Sequence, residues 1–277
     1  RLNPEQKKAV ECTEGPLLVF AGAGSGKTRV ITNRIAYLIN NKGVSPENIL
    51  AVTFTKKAAG EMQDRVKEIL SEIGANPNEM PSIGTFHSIG ALLLRKNAKE
   101  VGLSNNFSIY DSDDSENLIK ELMIERDIDI KQIKPKAVMY YISSAKNEMI
   151  DPDQFLNHYG GYIEDIVGGI YPDYQKQLKA QNSVDFGDLL YLTVKMLTEN
   201  EKVREYYQNQ FKYIMIDEYQ DTNQAQYRFA SLLSEKHHNI CVVGDDDQGI
   251  YAWRGADIKN IQSFEKDFDN VTVVKLE

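Results

Sequence analysis

The sequence is poor in the residues that make cross-links and metal cages. Cys12 and Cys241 are the only cysteines among 277 residues, and the four histidines do not join them at any zinc-ligand spacing. That excludes a disulfide framework and gives no ground for a structural metal, so both thiols are expected to be reduced and buried. Long apolar runs are missing as well. None approaches the roughly 20 residues that a bilayer span requires, and the opening Arg1-Leu2-Asn3-Pro4-Glu5 has no signal-peptide core. A soluble cytoplasmic protein with no membrane contact is the expectation. Positive charge is also in deficit, with 32 Lys and Arg against 41 Asp and Glu, a formal charge of −9. A chain that holds nucleic acid by bulk electrostatics alone is therefore disfavoured. The deficit is uneven: residues 1–90 carry 11 basic and 9 acidic side chains, whereas residues 183–277 carry 10 and 17. Any nucleic-acid site must be local and rest on more than charge.

What is present is ordinary globular material, 42% hydrophobic and 26% charged, enough for one large or two ordinary domains. Short apolar runs alternate with helical periodicity at both ends of the chain, which predicts βαβ units and a parallel sheet. Strands are expected at 17–20, 49–54, 213–216, 240–243 and 271–274. Helical faces are marked by Ile31, Ile35, Leu38 and Ile39, by Ala58, Met62, Val66 and Ile69, and by Ala225, Phe229 and Leu232. From about 92 to 182 the pattern is helical with few convincing strands, which predicts a mostly helical subdomain inserted into an α/β domain formed by 1–91 and 183–277.

Ala21-Gly22-Ala23-Gly24-Ser25-Gly26-Lys27-Thr28 follows the first strand and opens a helix. In this context glycines let the backbone N–H groups of Ala23, Gly24, Ser25 and Gly26 curl round a phosphate at a helix N-terminus. Lys27 reaches the terminal phosphates and the Thr28 hydroxyl binds Mg²⁺. Ala21 replaces the usual first glycine and leaves the Gly26-Lys27-Thr28 core intact. The strand 213–216 runs into Asp217-Glu218-Tyr219-Gln220-Asp221. Beside a phosphate loop, Asp217 suits the Mg²⁺ shell and Glu218 the base that orients and deprotonates water; the plainer reading is a charged helix-capping turn. After the strand 240–243 comes Gly244-Asp245-Asp246-Asp247-Gln248-Gly249-Ile250-Tyr251-Ala252-Trp253-Arg254-Gly255. There Gln248 can sense a γ-phosphate and Tyr251 and Trp253 can stack nucleobases, with a core aromatic as the rival reading of Trp253.

Taken together these residues closely resemble the superfamily 1 DNA helicases of the UvrD, Rep and PcrA type, most of all their PcrA-like members, over essentially the whole chain. The resemblance implies a RecA-like ATP-binding motor domain with helices on both faces of its sheet. It also implies movement on single-stranded DNA 3′ to 5′ with a preference for single-strand/duplex junctions, and a role in DNA repair or replication. Leu2-Asn3-Pro4-Glu5-Gln6 looks like the family's adenine-reading motif, which puts Gln6 on the base, and Arg29 stands where the family stacks a guanidinium on adenine. The segment from Thr53 to Ala59 resembles motif Ia, with Phe54 facing DNA, and Gly84-Thr85-Phe86-His87-Ser88 resembles motif Ib, with Thr85, Phe86 and His87 toward DNA. Val184 to Leu190 resembles a segment whose aromatic, here Phe186, approaches the single strand. Asp217 to Asp221 matches motif II, and Gly244 to Gly255 matches motif III, with Arg254 on the DNA side. Lys56, Gly187, Gly249 and Ala252 depart from the usual Asn, Asp, Ser and Ser. The chain ends at Leu276-Glu277 where the family continues into motif IV, which predicts the first half of a motor without its second motor domain. An AddA- or RecB-type helicase-nuclease subunit shares the motor motifs, and a non-motor ATP-dependent switch shares the phosphate loop. The stacking aromatics favour the motor, and a metal-dependent nuclease is disfavoured because the carboxylates accompany a phosphate loop.

Overall fold

In a computed structural model, which describes residues 1–22, 24–245 and 263–276, the chain forms two compact units. One comprises residues 1–89, 201–222 and 230–277, and the other residues 90–200 and 223–229. Residues 90–91, 183–200 and 223–229, which the sequence assigns to the α/β domain, cluster with the second unit.

The first unit begins with α1 (Pro4–Glu11), whose start is fixed by a capping box between Asn3 and Gln6 and by Pro4 in its first turn. β1 (Leu17–Ala21), α2 (Lys27–Asn40), β2 (Ile49–Thr53), α3 (Lys56–Glu72) and β3 (Ser82–Thr85) follow, and α4 (Phe86–Lys96) has residues in both units. The second unit contains β4 (Ser108–Tyr110), α5 (Ser112–Glu125), α6 (Pro135–Asn147), α7 (Phe155–His158), α8 (Tyr162–Ala180), β5 (Ser183–Asp185) and α9 (Asp188–Glu199). The remaining elements are α10 (Glu201–Gln210), β6 (Tyr213–Ile216), α11 (Gln224–Ser234), β7 (Ile240–Asp245) and β8 (Thr272–Leu276).

Six strands make one parallel sheet in the order β3-β2-β6-β7-β1-β8. Parallel strands covered on both faces are apolar throughout, and β2, Ile-Leu-Ala-Val-Thr, is buried at every residue. The five predicted strands are all present; β3, a short Ser-Ile-Gly-Thr segment, carried too little hydrophobic signal to be foreseen. On α3 the buried stripe is Ala59, Met62, Val66 and Leu70, one residue later than expected at each end. Arg34, 2% exposed, donates from α2 to the carbonyls of Ala9 at 2.9 Å and of Cys12, satisfying the end of α1 and locking it to α2. Cys241 is buried, but Cys12 is only half-buried because it caps the end of α1 beside this guanidinium.

The second unit is held by an apolar core in which α5, α6 and α8 contribute Ile119, Met123, Val138, Ile142, Val167 and Ile170. β4 and β5 pair in parallel within it, a short two-stranded sheet in a unit expected to be mostly helical. Among the described residues no helix is long and apolar enough to cross a membrane.

Candidate functional site

The strand order places β6, β7 and β1 side by side, so the ends of three sequence-distant segments meet at one sheet edge. In open parallel sheets this carboxyl edge is where ligands bind. From β1 the chain enters the phosphate loop. Ser25 is drawn back onto the Gly22 carbonyl by its backbone N–H at 3.1 Å and by its hydroxyl at 2.6 Å. Gly24 and Gly26 take φ of +76° and +82°, left-handed values that cost a side chain strain, and α2 starts directly after Gly26. Gln6, 7% exposed, braces the loop: Nε2 donates to the Ser25 carbonyl at 3.0 Å while Oε1 accepts from the Asn3 backbone at 3.0 Å. A Cβ on residue 26 would lie 2.7 Å from Gln6 Nε2. Thr28 is half-buried and Arg29 exposed at the loop's helical end.

Lys27 Nζ lies 2.5 Å from Glu218 Oε1 and 3.0 Å from Asp245 Oδ1. Burial works to lower the pKa of this ammonium, but the bonds to Glu218 and Asp245 and the charge of Asp217 outweigh it and drive it upward, so Lys27 stays charged. Asp217, 8% exposed, is tied to the neighbouring strand by its N–H, which donates to the Val52 carbonyl at 3.1 Å. Burial, reinforced by the charge of Glu218, pushes its carboxyl up to about 6. Its Oδ1 accepts from the Glu218 N–H at 2.8 Å. Glu218 itself has φ of +52°, an uncommon value for a side-chain-bearing residue and one that recurs at functional turns.

Two further side chains, Gln220 and Asp245, complete the site. Gln220, 7% exposed, donates from Nε2 to Glu218 Oε2 at 2.8 Å and accepts at Oε1 from the Asp245 N–H at 3.3 Å. Asp245 closes the ring through Lys27. Both lie inside motifs already quoted, but their roles depend on β6 and β7 being neighbours. Three carboxylates round one ammonium leave an excess of negative charge and hard oxygen donors, a donor set suited to Mg²⁺. Among the described residues no three His, Cys, Asp or Glu side chains are gathered as a metal site on their own. A P-loop site needs no such cage, since Mg²⁺ there is held by one or two protein oxygens with phosphates and water.

The predicted DNA-facing residues divide. Thr53 and Thr85 are register partners on β2 and β3, so Phe54 and Phe86 emerge together and their rings meet edge-on at 5.5 Å. Phe54 is half-buried, but Phe86 is 1% exposed, so it backs Phe54 instead of presenting a face of its own. Thr85 and Ser88 bond reciprocally to each other's backbone N–H at 3.1 and 2.9 Å, capping α4, and burial holds the His87 pKa below its ordinary value. Phe186, in the second unit, is 57% exposed. Ala23, Gln248, Tyr251, Trp253 and Arg254 lie outside the described residues.

The UvrD/REP helicase N-terminal domain matches residues 2–269. The ATP-dependent DNA helicase PcrA of Bacillus subtilis is 51% identical over 276 residues, and the PcrA proteins of Staphylococcus aureus and Staphylococcus epidermidis are 47% and 46% identical. Each alignment takes in 100% of this chain and 37% of the relative, so the chain spans little more than a third of the length of these curated relatives. A phosphate loop, an acidic strand end beside it and a family match over nearly every residue agree: the chain belongs to the UvrD/REP helicase family, as its N-terminal domain.

Proposed function

We propose that this chain is the N-terminal, ATP-binding motor half of an ATP-dependent DNA helicase that moves along single-stranded DNA in the cytoplasm, 3′ to 5′, engaging single-strand/duplex junctions. The observation that carries the reading is the convergence of Lys27, Glu218 and Asp245 from three adjacent strand ends. In this reading the unit built on the six-stranded sheet is the motor domain and the 92–182 stretch its inserted helical subdomain.

The loop amides of 23–26 and Lys27 bind the ATP phosphates, and Thr28 and Asp217 hold Mg²⁺, which supplies charge neutralisation at the transferring phosphoryl group. Glu218 cannot serve as a base while Oε1 is bound to the Lys27 ammonium at 2.5 Å. When Lys27 turns toward phosphate, Glu218 Oε1 is released to accept the proton of the attacking water, while Gln220 keeps the other oxygen in place. Gln248 senses the γ-phosphate. Gln6 contacts adenine by exchanging or sharing its bond to the Ser25 carbonyl, and Arg29 stacks on the base. Phe54, Phe186, Tyr251 and Trp253 stack successive nucleobases with little sequence preference, which suits an acidic protein because stacking needs no net positive charge. Thr85, His87 and Arg254 flank the strand.

The test measures ATP binding by titration calorimetry, with turnover measured in the full-length protein. Lys27→Ala weakens binding; Glu218→Gln preserves binding and abolishes DNA-stimulated turnover. Equal loss of binding in both would refute the division of roles. Residues 1–277 alone bind Mg-ATP and oligonucleotide weakly and show no appreciable DNA-stimulated hydrolysis, because the family's second motor domain supplies arginines that such transfers need, worth roughly 10³–10⁵ in rate.

A further inference from the structure

Within the second unit one ammonium is buried as completely as any core hydrophobe. Lys146 on α6 is 1% exposed, and its Nζ lies 2.6 Å from Asp185 Oδ2 and 3.0 Å from Asp188 Oδ1. Desolvating such a group is costly, and a buried ion cluster replaced as a whole by well-packed apolar side chains is often no less stable, so stability alone does not account for this lysine and its two aspartates. The geometry of its partners does. The other oxygen of each carboxylate closes a turn: Asp188 N–H donates to Asp185 Oδ1 at 2.9 Å, and Asp185 N–H donates to Asp188 Oδ2 at 3.0 Å. Tyr174 OH adds a bond to Asp185 at 2.8 Å and Gln175 Nε2 one to Asp188 at 3.1 Å. All four carboxylate oxygens are thereby engaged, and a single cation joins both ends of the turn. The two residues enclosed are Phe186 and Gly187, and Phe186 is 57% exposed.

We propose that Lys146 is a positioning residue for single-strand binding: it locks the Asp185–Asp188 turn and so holds the Phe186 ring in a fixed orientation for stacking on a base. The inference rests on the reading of Phe186 as a base-stacking residue. A ring held on a frame of this kind has little conformational freedom to lose when a base lands on it, and preorganisation of this sort raises affinity without adding a contact.

The experiment measures binding of the 277-residue chain to a fluorescently labelled oligo(dT), at fixed salt and well below the melting temperature of each variant. Phe186→Ala should weaken binding about tenfold, within the range for one stacked base. Lys146→Met should weaken it to a similar extent, and the double variant should be no weaker than Phe186→Ala alone, since Lys146 acts only through that ring. A lysine that merely supports the unit would give additive losses, or lower thermal stability with unchanged affinity, and either result overturns the proposal. Should Lys146→Met fail to fold because two buried carboxylates are left without a cation, Lys146→Met/Asp185→Asn/Asp188→Asn removes all three charges while keeping side-chain oxygens to close the turn. Weakened binding by that folded variant supports the proposal, and wild-type binding refutes it. An unchanged affinity for Phe186→Ala overturns the stacking role of Phe186, and the inference with it, whereas unchanged affinity for Lys146→Met alone overturns only the inference.

Discussion

Gly26→Ala probes the contact that joins the first helix to the phosphate loop. Two costs are separable. Residue 26 has φ of +82° and ψ of +34°, and placing an L side chain there costs about 1–2 kcal/mol. The new Cβ would also stand 2.7 Å from Gln6 Nε2. Gln6 has little room to yield, because it is 7% exposed and its amide is bonded at both ends, to Asn3 and to Ser25. Moving it sacrifices both bonds, at roughly 1 kcal/mol each. Gly26→Ala should therefore destabilise the chain by ~3–4 kcal/mol, a large share of the ~5–15 kcal/mol of an ordinary domain. In a Gln6→Ala background those bonds are already gone and only the backbone strain remains, so the same substitution should cost about 1–2 kcal/mol. Urea unfolding of the four members of the cycle reads the difference, a coupling of about 2 kcal/mol. Additive effects would mean that Gln6 does not brace the loop. Nucleotide affinity measured on the same samples should fall for Gly26→Ala in both backgrounds, since the strain displaces the loop amides whatever Gln6 does.

Three further outcomes are expected. The Asp217 carboxyl is raised from 3.8 to about 6 by burial, then by the charge of Glu218, so the nucleotide-free chain binds this proton more tightly folded than unfolded. Its contribution to stability is therefore complete below 3.8 and lost as pH rises through about 6; Asp217→Asn should remove that decline in urea titrations at a series of pH values, and an unchanged profile would contradict the assigned burial. Phe86→Ala should cost about 3–5 kcal/mol as a core truncation, whereas Phe54→Ala should cost less stability and weaken oligonucleotide binding, as paired melts and anisotropy titrations would reveal. Gly187 has helical φ of −63° and ψ of −31°, and an added Cβ would come no nearer than 3.4 Å to Lys146 Cδ. Gly187→Ala should raise stability by about 0.4–1 kcal/mol in thermal or urea unfolding by reducing the freedom of the unfolded chain.

Local chemistry was readable from the sequence because it depends on residues within a few positions of one another. The run from Gly22 to Thr28 encodes a turn with two left-handed glycines and a helix start, and Leu17 to Phe20 and Tyr213 to Ile216 encode strands buried on both faces. Helical spacing located α3 but set its buried stripe slightly out of phase, because the final rotation of a helix is decided by what it packs against. β3 escaped notice because four residues, one of them glycine, hold too little apolar signal. The site needed more than local pattern. That Lys27 meets Glu218 and Asp245, 191 and 218 residues away, follows from β6, β7 and β1 lying side by side, and strand order is a property of the whole packed sheet. The same holds for Gln220, whose bridging role exists only once β6 adjoins β7, and for Phe86, whose ring is turned inward by the pairing of β2 with β3. Composition and spacing determined which side chains could handle a nucleotide; the long-range burial of the sheet decided which of them touch.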